Sequence, residues 1–140
     1  MSDQCLFCGI VAGDIPSVRV AEDDDTYAFM DINPAADGHL LVVPKRHSTD
    51  LMDISPDDLA AVTVTAQRIA KVAVTKLGAD GVNLLNCCGA EAWQTVFHFH
   101  VHVVPRYADK TKDKLVLPWV PTPGDAGTIA ALGERLAAAL

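Results

Sequence analysis

The chain has 140 residues, half of them hydrophobic and 21% charged, and a net charge of −7 at pH 7. That length suits one domain able to bury a core without disulfides, and a composition free of low-complexity tracts excludes extended disorder except at the ends. The acidic balance excludes a broad nucleic-acid or anionic-membrane surface, which demands a basic footprint, but leaves room for a small anion in a locally positive pocket.

From the N-terminus, MSDQCLFCGI carries no basic segment followed by an apolar stretch, and nowhere is there a run of about 18 apolar residues, so the chain reads as cytosolic. In a reducing compartment the Cys5-x-x-Cys8 pair points to a metal or redox site rather than a structural disulfide. Two thiolates at that spacing can grip one ion from a tight turn, and a tetrahedral zinc then needs two more ligands from elsewhere. His39, His47 and the three histidines near residue 100 are the candidates. A second cysteine pair, Cys87 and Cys88, reads as simple loop residues.

Arg19 to Ala21 and Thr26 to Met30 are short strand candidates separated by the turn-like Glu22-Asp23-Asp24-Asp25. Gly38 introduces His39-Leu40-Leu41-Val42-Val43, a buried strand closed by Pro44. Ser55-Pro56-Asp57-Asp58 combines an N-cap, a proline at the first helical position and acidic residues in the first turn. Leu59, Val62, Ala66, Ile69, Ala73 and Leu77 follow at helical spacing, and Gly78 can stop the helix. Gly81 to Asn86 reads as another strand, followed by a loop from Cys87 to Trp93. Pro118 to Gly124 is a linker to a helix from about Ala126 to Ala139. Strands, helix, strands, helix, with short Gly-containing connections, predict an α+β domain with an antiparallel sheet packed on a helix.

The most informative segment is Thr95 to Arg106, TVFHFHVHVVPR, with three of the five histidines at every second position. Period two predicts a strand with His98, His100 and His102 on one face and Phe99, Val101 and Val103 on the other. Neighbouring imidazoles on a strand would stand about 6.8 Å apart at the Cα, so one metal ion could take two of them but hardly three. Phosphate chemistry fits the row better. An imidazole can attack phosphorus, a neighbouring imidazole, amide or hydroxyl can stabilise the oxygens or protonate the leaving group, and Gln94 and Thr95 supply such donors just before the row.

The segment His98-Phe99-His100-Val101-His102-Val103-Val104 resembles the His-x-His-x-His-x-x signature of the histidine triad (HIT) family of nucleotide hydrolases and transferases. Phe7-Cys8-Gly9-Ile10, Gly13-Asp14-Ile15-Pro16, Phe29-Met30-Asp31-Ile32-Asn33-Pro34, Gly38-His39, Pro44-Lys45-Arg46-His47 and Gln94-Thr95-Val96 are similar to that family's blocks in their usual order. The resemblance runs from about Cys5 to Arg106, within a single domain of residues 1–140 that ends in an extension from residue 107. It implies an α+β fold with a five-stranded antiparallel sheet, one long helix and a C-terminal helix, and a homodimer that joins two sheets into one of ten strands.

The resemblance also implies roles. His100 would be the nucleophile that forms a nucleotidyl-histidine at the α-phosphate of a nucleoside phosphoramidate or related nucleoside monophosphate derivative. His102 and His39 would line the phosphate pocket, and Gln94 and Thr95 would contact the α-phosphate or leaving group. Asp31 would hold the ribose, Leu6, Phe7, Ile10, Phe29 and Ile32 would sandwich a purine, and Asn86 would lie beside the phosphates. Zinc-containing members imply a structural Zn²⁺ on Cys5, Cys8, His47 and His98. Two departures stand out: Cys87 occupies a position that is commonly asparagine, with Asn86 adjacent, and Trp93 replaces the usual glycine before the glutamine. Trp119 is a lesser candidate for the leaving-group side. The alternatives are a dinucleoside polyphosphate hydrolase and a zinc-stabilised nucleotide-binding adaptor with little catalysis.

Overall fold

A computed structural model describes residues 4–140, and the first three residues of the expected domain lie outside the described residues. The elements are α1 (Leu6–Ala12), β1 (Arg19–Glu22), β2 (Thr26–Met30), β3 (Leu40–Pro44), α2 (Pro56–Leu77), β4 (Gly81–Leu85), β5 (Val101–Arg106) and α3 (Ala126–Ala139). The strands form one antiparallel sheet in the order β1-β2-β3-β5-β4. This is the expected α+β architecture with one addition, helix α1, in place of the tight turn expected around the CxxC. Seven residues are too few to show a helical period, and the cap is the Cys5 thiol, which accepts the Cys8 amide, rather than a Ser, Thr or Asp.

Helix α2 begins and ends where its chemistry predicts. The Ser55 hydroxyl accepts the Asp58 amide, and Gly78 closes the helix at φ 72° in the left-handed region. Its apolar stripe packs across β2, β3, β4 and β5. Val62, Ala66 and Ile69 meet Ala28, Leu40, Val42, Phe99, Val101 and Val103 there. The Arg46 guanidinium grips the buried Asp58 carboxylate through two nitrogens, tying the end of β3 to the first turn of α2 and holding that carboxyl below its usual range. Thr26 and Thr65 share a buried hydroxyl contact of 3.1 Å between β2 and α2.

The opposite face of the sheet carries a second cluster of Phe7, Ile10, Tyr27, Phe29, Leu41 and Val43, with Cys5, Ile15 and Val96 at its margin. Strands β2 and β3 are therefore apolar on both sides, which is why their sequences run hydrophobic without alternation. Gly38 lies in the turn before β3 at φ +83°, where an added Cβ would lie 2.7 Å from Leu77 Cδ1 and 3.2 Å from Pro105 Cγ. Only glycine meets both demands there, and His39 follows it directly.

Residues past Arg106 continue the fold further than expected. Asp113 makes an antiparallel bridge with Ala36, Lys114 N–H donates to Ala35 C=O, and the Tyr107 hydroxyl donates to Asp37 C=O. The buried Asp113 carboxylate accepts from Arg106 Nε at 2.8 Å and from the Tyr107 and Leu115 amides at 3.0 and 3.1 Å. Segment 107–115 thus braces the turn that carries His39. Among the described residues no helix is long and apolar enough to cross a membrane.

Candidate functional site

The histidine row does not form one continuous strand. Ladder pairing begins only at Val101, which stands opposite Val42 of β3, so His98 and His100 precede β5 and His102 alone lies within it. Before Val101 the chain bends at residues 96–98 and is held by partners other than a ladder strand. Phe99 N–H donates to Ser48 C=O at 2.8 Å, and Asn86 Nδ2 donates to His100 C=O at 2.9 Å. Phe99, Val101 and Val103 face α2, as predicted, while Phe7 of α1 meets both His98 and His100 edge-on, at 6.1 and 5.1 Å between ring centres.

Each ring has an orientation that its partners determine. His100 Nδ1 lies 2.8 Å from the His98 carbonyl, which can only accept, so Nδ1 carries the proton and Nε2 keeps its lone pair. His39 Nδ1 accepts the Ala35 amide at 3.0 Å, which puts its proton on Nε2. His39 Nε2 then donates to His102 Nδ1 at 2.9 Å, leaving the His102 proton on Nε2. The ring centres of His100 and His102 stand 5.0 Å apart. Burial pushes His39 and His100 below the usual histidine pKa and His102 down to about 4, so all three are neutral near pH 7.

His100 and His102 open onto a cavity of about 420 Å³. Its floor is apolar, formed by Leu6, Phe7, Ile10, Phe29 and Leu41, and the rest of the lining includes Asp31, Ile32, Trp93, Thr95 and Val96. Asp31 accepts the Asn33 amide through Oδ1 at 2.8 Å and places Oδ2 3.4 Å from His39 Nε2. Ile32 is 88% exposed and forms the rim rather than a buried wall. The cavity size and its mixture of apolar surface with a few convergent polar groups suit a small organic ligand.

Two expected contacts fall elsewhere. Gln94 is buried away from the lining. Its Oε1 accepts the Gly89 amide at 2.7 Å, and its Nε2 donates to the Thr49 and Val96 carbonyls at 2.9 and 3.1 Å. Both ends of the amide are spent on shaping the loop. Asn86 likewise spends its Nδ2 on the His100 carbonyl and is not part of the lining. Adjacent Cys87 is buried, and burial raises its thiol pKa, which makes it a poor nucleophile. The sequence offered no signal for the Ala35 amide that orients His39, because a backbone donor leaves no trace in residue type.

His98 turns away from this cavity. Its Nδ1 lies 3.4 Å from the sulfurs of Cys5 and Cys8 and 3.2 Å from His47 Nδ1, and Cys8 Sγ lies 3.3 Å from His47 Nδ1. The four donor atoms fall within 4.8 Å of one another. Tetrahedral zinc with ordinary bond lengths separates sulfur from nitrogen by about 3.6 Å and two nitrogens by about 3.3 Å, close to the separations here, so this donor set fits such an ion. His98 Nε2 donates to Pro44 C=O at 2.9 Å, which leaves Nδ1 free as a ligand atom. Asp31, His39 and His102 also bring donor atoms together, but the one lone pair of neutral His39 is already taken by the Ala35 amide. That second group is a hydrogen-bond relay, not a metal site.

An antiparallel sheet thus carries a neutral, oriented histidine pair over a cavity with an apolar lining, beside a Cys₂His₂ cluster. The chain belongs to the HIT domain family, whose model matches residues 12–109. It is 48% identical over 108 residues to a HIT-like protein of Mycobacterium tuberculosis strain H37Rv, covering 76% of this chain and 74% of that one. It is 37% identical over 106 residues to an adenylylsulfatase of Arabidopsis thaliana, covering 76% of this chain and 54% of that longer protein. A crystal structure of a Zn-bound histidine triad family protein from Mycobacterium smegmatis superimposes with a TM-score of 0.77 at 42% identity over 99% of both chains. The family thus includes hydrolases and a member crystallised with zinc.

Proposed function

We infer that the protein is a cytoplasmic, homodimeric nucleotide hydrolase that cleaves nucleoside phosphoramidates or related nucleoside monophosphate derivatives at the α-phosphate. The observation that carries this reading is the His98 carbonyl on His100 Nδ1, which leaves a neutral Nε2 lone pair at a cavity shared with His102, Thr95 and Asp31. The apolar floor suits a purine and Asp31 has acceptor capacity for ribose hydroxyls. His102 Nε2–H and the Thr95 hydroxyl are donors for the non-bridging phosphate oxygens.

In the first step His100 Nε2 forms a bond to phosphorus while the bond to the leaving group breaks. The leaving amine or alkoxide departs with the electron pair and takes a proton from water. A second water then attacks phosphorus, the bond to Nε2 breaks, and its surplus proton passes to solvent, so that one water is consumed and a nucleoside monophosphate released. Burial favours this chemistry because it keeps the nucleophile unprotonated.

A structural Zn²⁺ on Cys5, Cys8, His47 and His98 belongs to this reading. When bound, the ion would staple α1 to the segment before β5, and its full protein coordination leaves it no catalytic position. The dimer is supported by the sheet's end strand β4, whose Leu84 and Leu85 are exposed beside an unpaired backbone edge.

Incubation with an adenosine phosphoramidate labelled at phosphorus, followed by acid-free denaturation, is expected to trap a nucleotidyl-protein adduct. His100→Ala abolishes it. An adduct that survives this substitution, or no turnover by the wild-type protein, overturns the reading.

A further inference from the structure

We propose that Trp93 is a stacking wall for the leaving group, making this protein selective for nucleotide derivatives whose leaving group carries a flat aromatic ring. The proposal rests on the hydrolase reading above and specifies its substrate class. Trp93 has φ 74°, the only positive φ at a non-glycine position among the described residues. In that conformation Cβ crowds the following carbonyl, so glycine would occupy the position with less strain. Among the described residues burial offsets little of that strain, since Trp93 is 64% exposed. Strain held at a cavity with little packing return points to a role in what the cavity binds.

The backbone around Trp93 is held firmly. Its amide donates to Ala90 C=O at 3.0 Å, the Ala92 and Gln94 amides both donate to Gly89 C=O, and the buried Gln94 side chain clamps the Gly89 amide. The indole is therefore presented from a fixed base, with two side-chain torsions left to settle. It lines the same cavity as Thr95, His100 and His102. The apolar floor of that cavity comes from α1, β2 and β3 and is continuous with the core, so it offers one aromatic-lined surface for a base. Trp93 comes from the loop before the histidines and adds another aromatic ring to the lining of that cavity. A nucleotide whose leaving group is small uses only the floor, and one with an aromatic leaving group uses the indole as well.

Two adenosine 5′-phosphoramidates that differ only in the amine, methylamine or 2-naphthylmethylamine, test this. Cleavage breaks the P–N bond in each, and the amine leaves with the electron pair and gains a proton from water. The wild-type protein is expected to favour the naphthyl compound by about ten-fold in kcat/KM, the size of one aromatic contact. Trp93→Gly lowers kcat/KM for that compound at least about five-fold and changes the methylamine compound less than about two-fold, whereas Trp93→Phe retains most of the preference. Thermal stability of Trp93→Gly is expected to equal or exceed that of wild type, so loss of folding does not mimic the result. Equal losses on both compounds, or no preference in the wild type, overturn the proposal. If the wild-type protein hydrolyses neither compound, the hydrolase reading fails by itself. Calorimetric binding of the same two compounds then decides the stacking: a naphthyl preference that disappears in Trp93→Gly upholds it, and equal affinities overturn it.

Discussion

His39 Nε2 lies 2.9 Å from His102 Nδ1, and the proton between them belongs to His39 because the Ala35 amide has claimed its other nitrogen. A chain of donors therefore runs from the backbone through two imidazoles to the cavity, and its far end is the His102 Nε2–H. His39→Ala is expected to lower kcat by about 10- to 100-fold with little change in KM, because His102 loses its orientation while the apolar floor stays intact. Steady-state kinetics on an adenosine phosphoramidate checks this, and a purely KM effect contradicts it.

The same burial makes the fold sensitive to mild acid. His102 titrates at about 4 in the folded chain, against about 6.5 when unfolded, so between those values the unfolded state binds more protons. Stability from this group is complete above about pH 6.5 and declines as pH falls towards 4, by roughly 3 kcal/mol at most. Urea midpoints from pH 4 to 7 are expected to rise with pH, and His102→Asn should flatten that rise.

Asp113 behaves in the opposite range. Hydrogen bonds from the Tyr107 amide, with Arg106 and the Leu115 amide, hold its carboxyl down to about 2. Its contribution is therefore present above the ordinary carboxylate range, near pH 4, and is lost as pH falls through about 2. Asp113→Asn is expected to lower the melting temperature at pH 7, with the difference from wild type shrinking steadily between pH 4 and 2. Because Asp113 also braces the turn behind His39, the variant should lose activity as well as stability.

Metal removal separates the two halves of the site. Elemental analysis of protein purified without added zinc is expected to find about one ion per chain, from the four ligands present. A strong chelator, or His47→Ala, should lower the melting temperature because ion binding and folding are linked. Nucleoside monophosphate affinity should fall by less than about three-fold, since His47 lies outside the cavity lining. A large loss of affinity with unchanged stability would contradict a structural role.

Much of the fold was legible in the chain because it rests on local chemistry. Ser55, Pro56 and Gly78 bound α2 through caps whose effects extend over one turn, and the alternation around Phe99 and Val101 sorted side chains to two faces of an extended backbone. Helix α1 was not legible, because seven residues carry no period. The bracing of His39 by residues 107–115 was equally hidden, since Asp113 and Ala35 are far apart in sequence and meet through backbone bonds.

The sequence by itself determined the residue types, the order of the strands with α2 and α3, and the sidedness of the three histidines, all consequences of spacing and propensity. Only the tertiary structure decided what each imidazole does. His98 meets Cys5, Cys8 and His47, His100 has its Nδ1 occupied by a carbonyl, and His102 receives a proton from His39. The physical reason is that an imidazole has one donor and one acceptor when neutral, and which nitrogen holds the proton depends on partners brought from other parts of the chain. The same holds for Trp93, whose identity is plain in the sequence and whose left-handed backbone and place at the cavity are not.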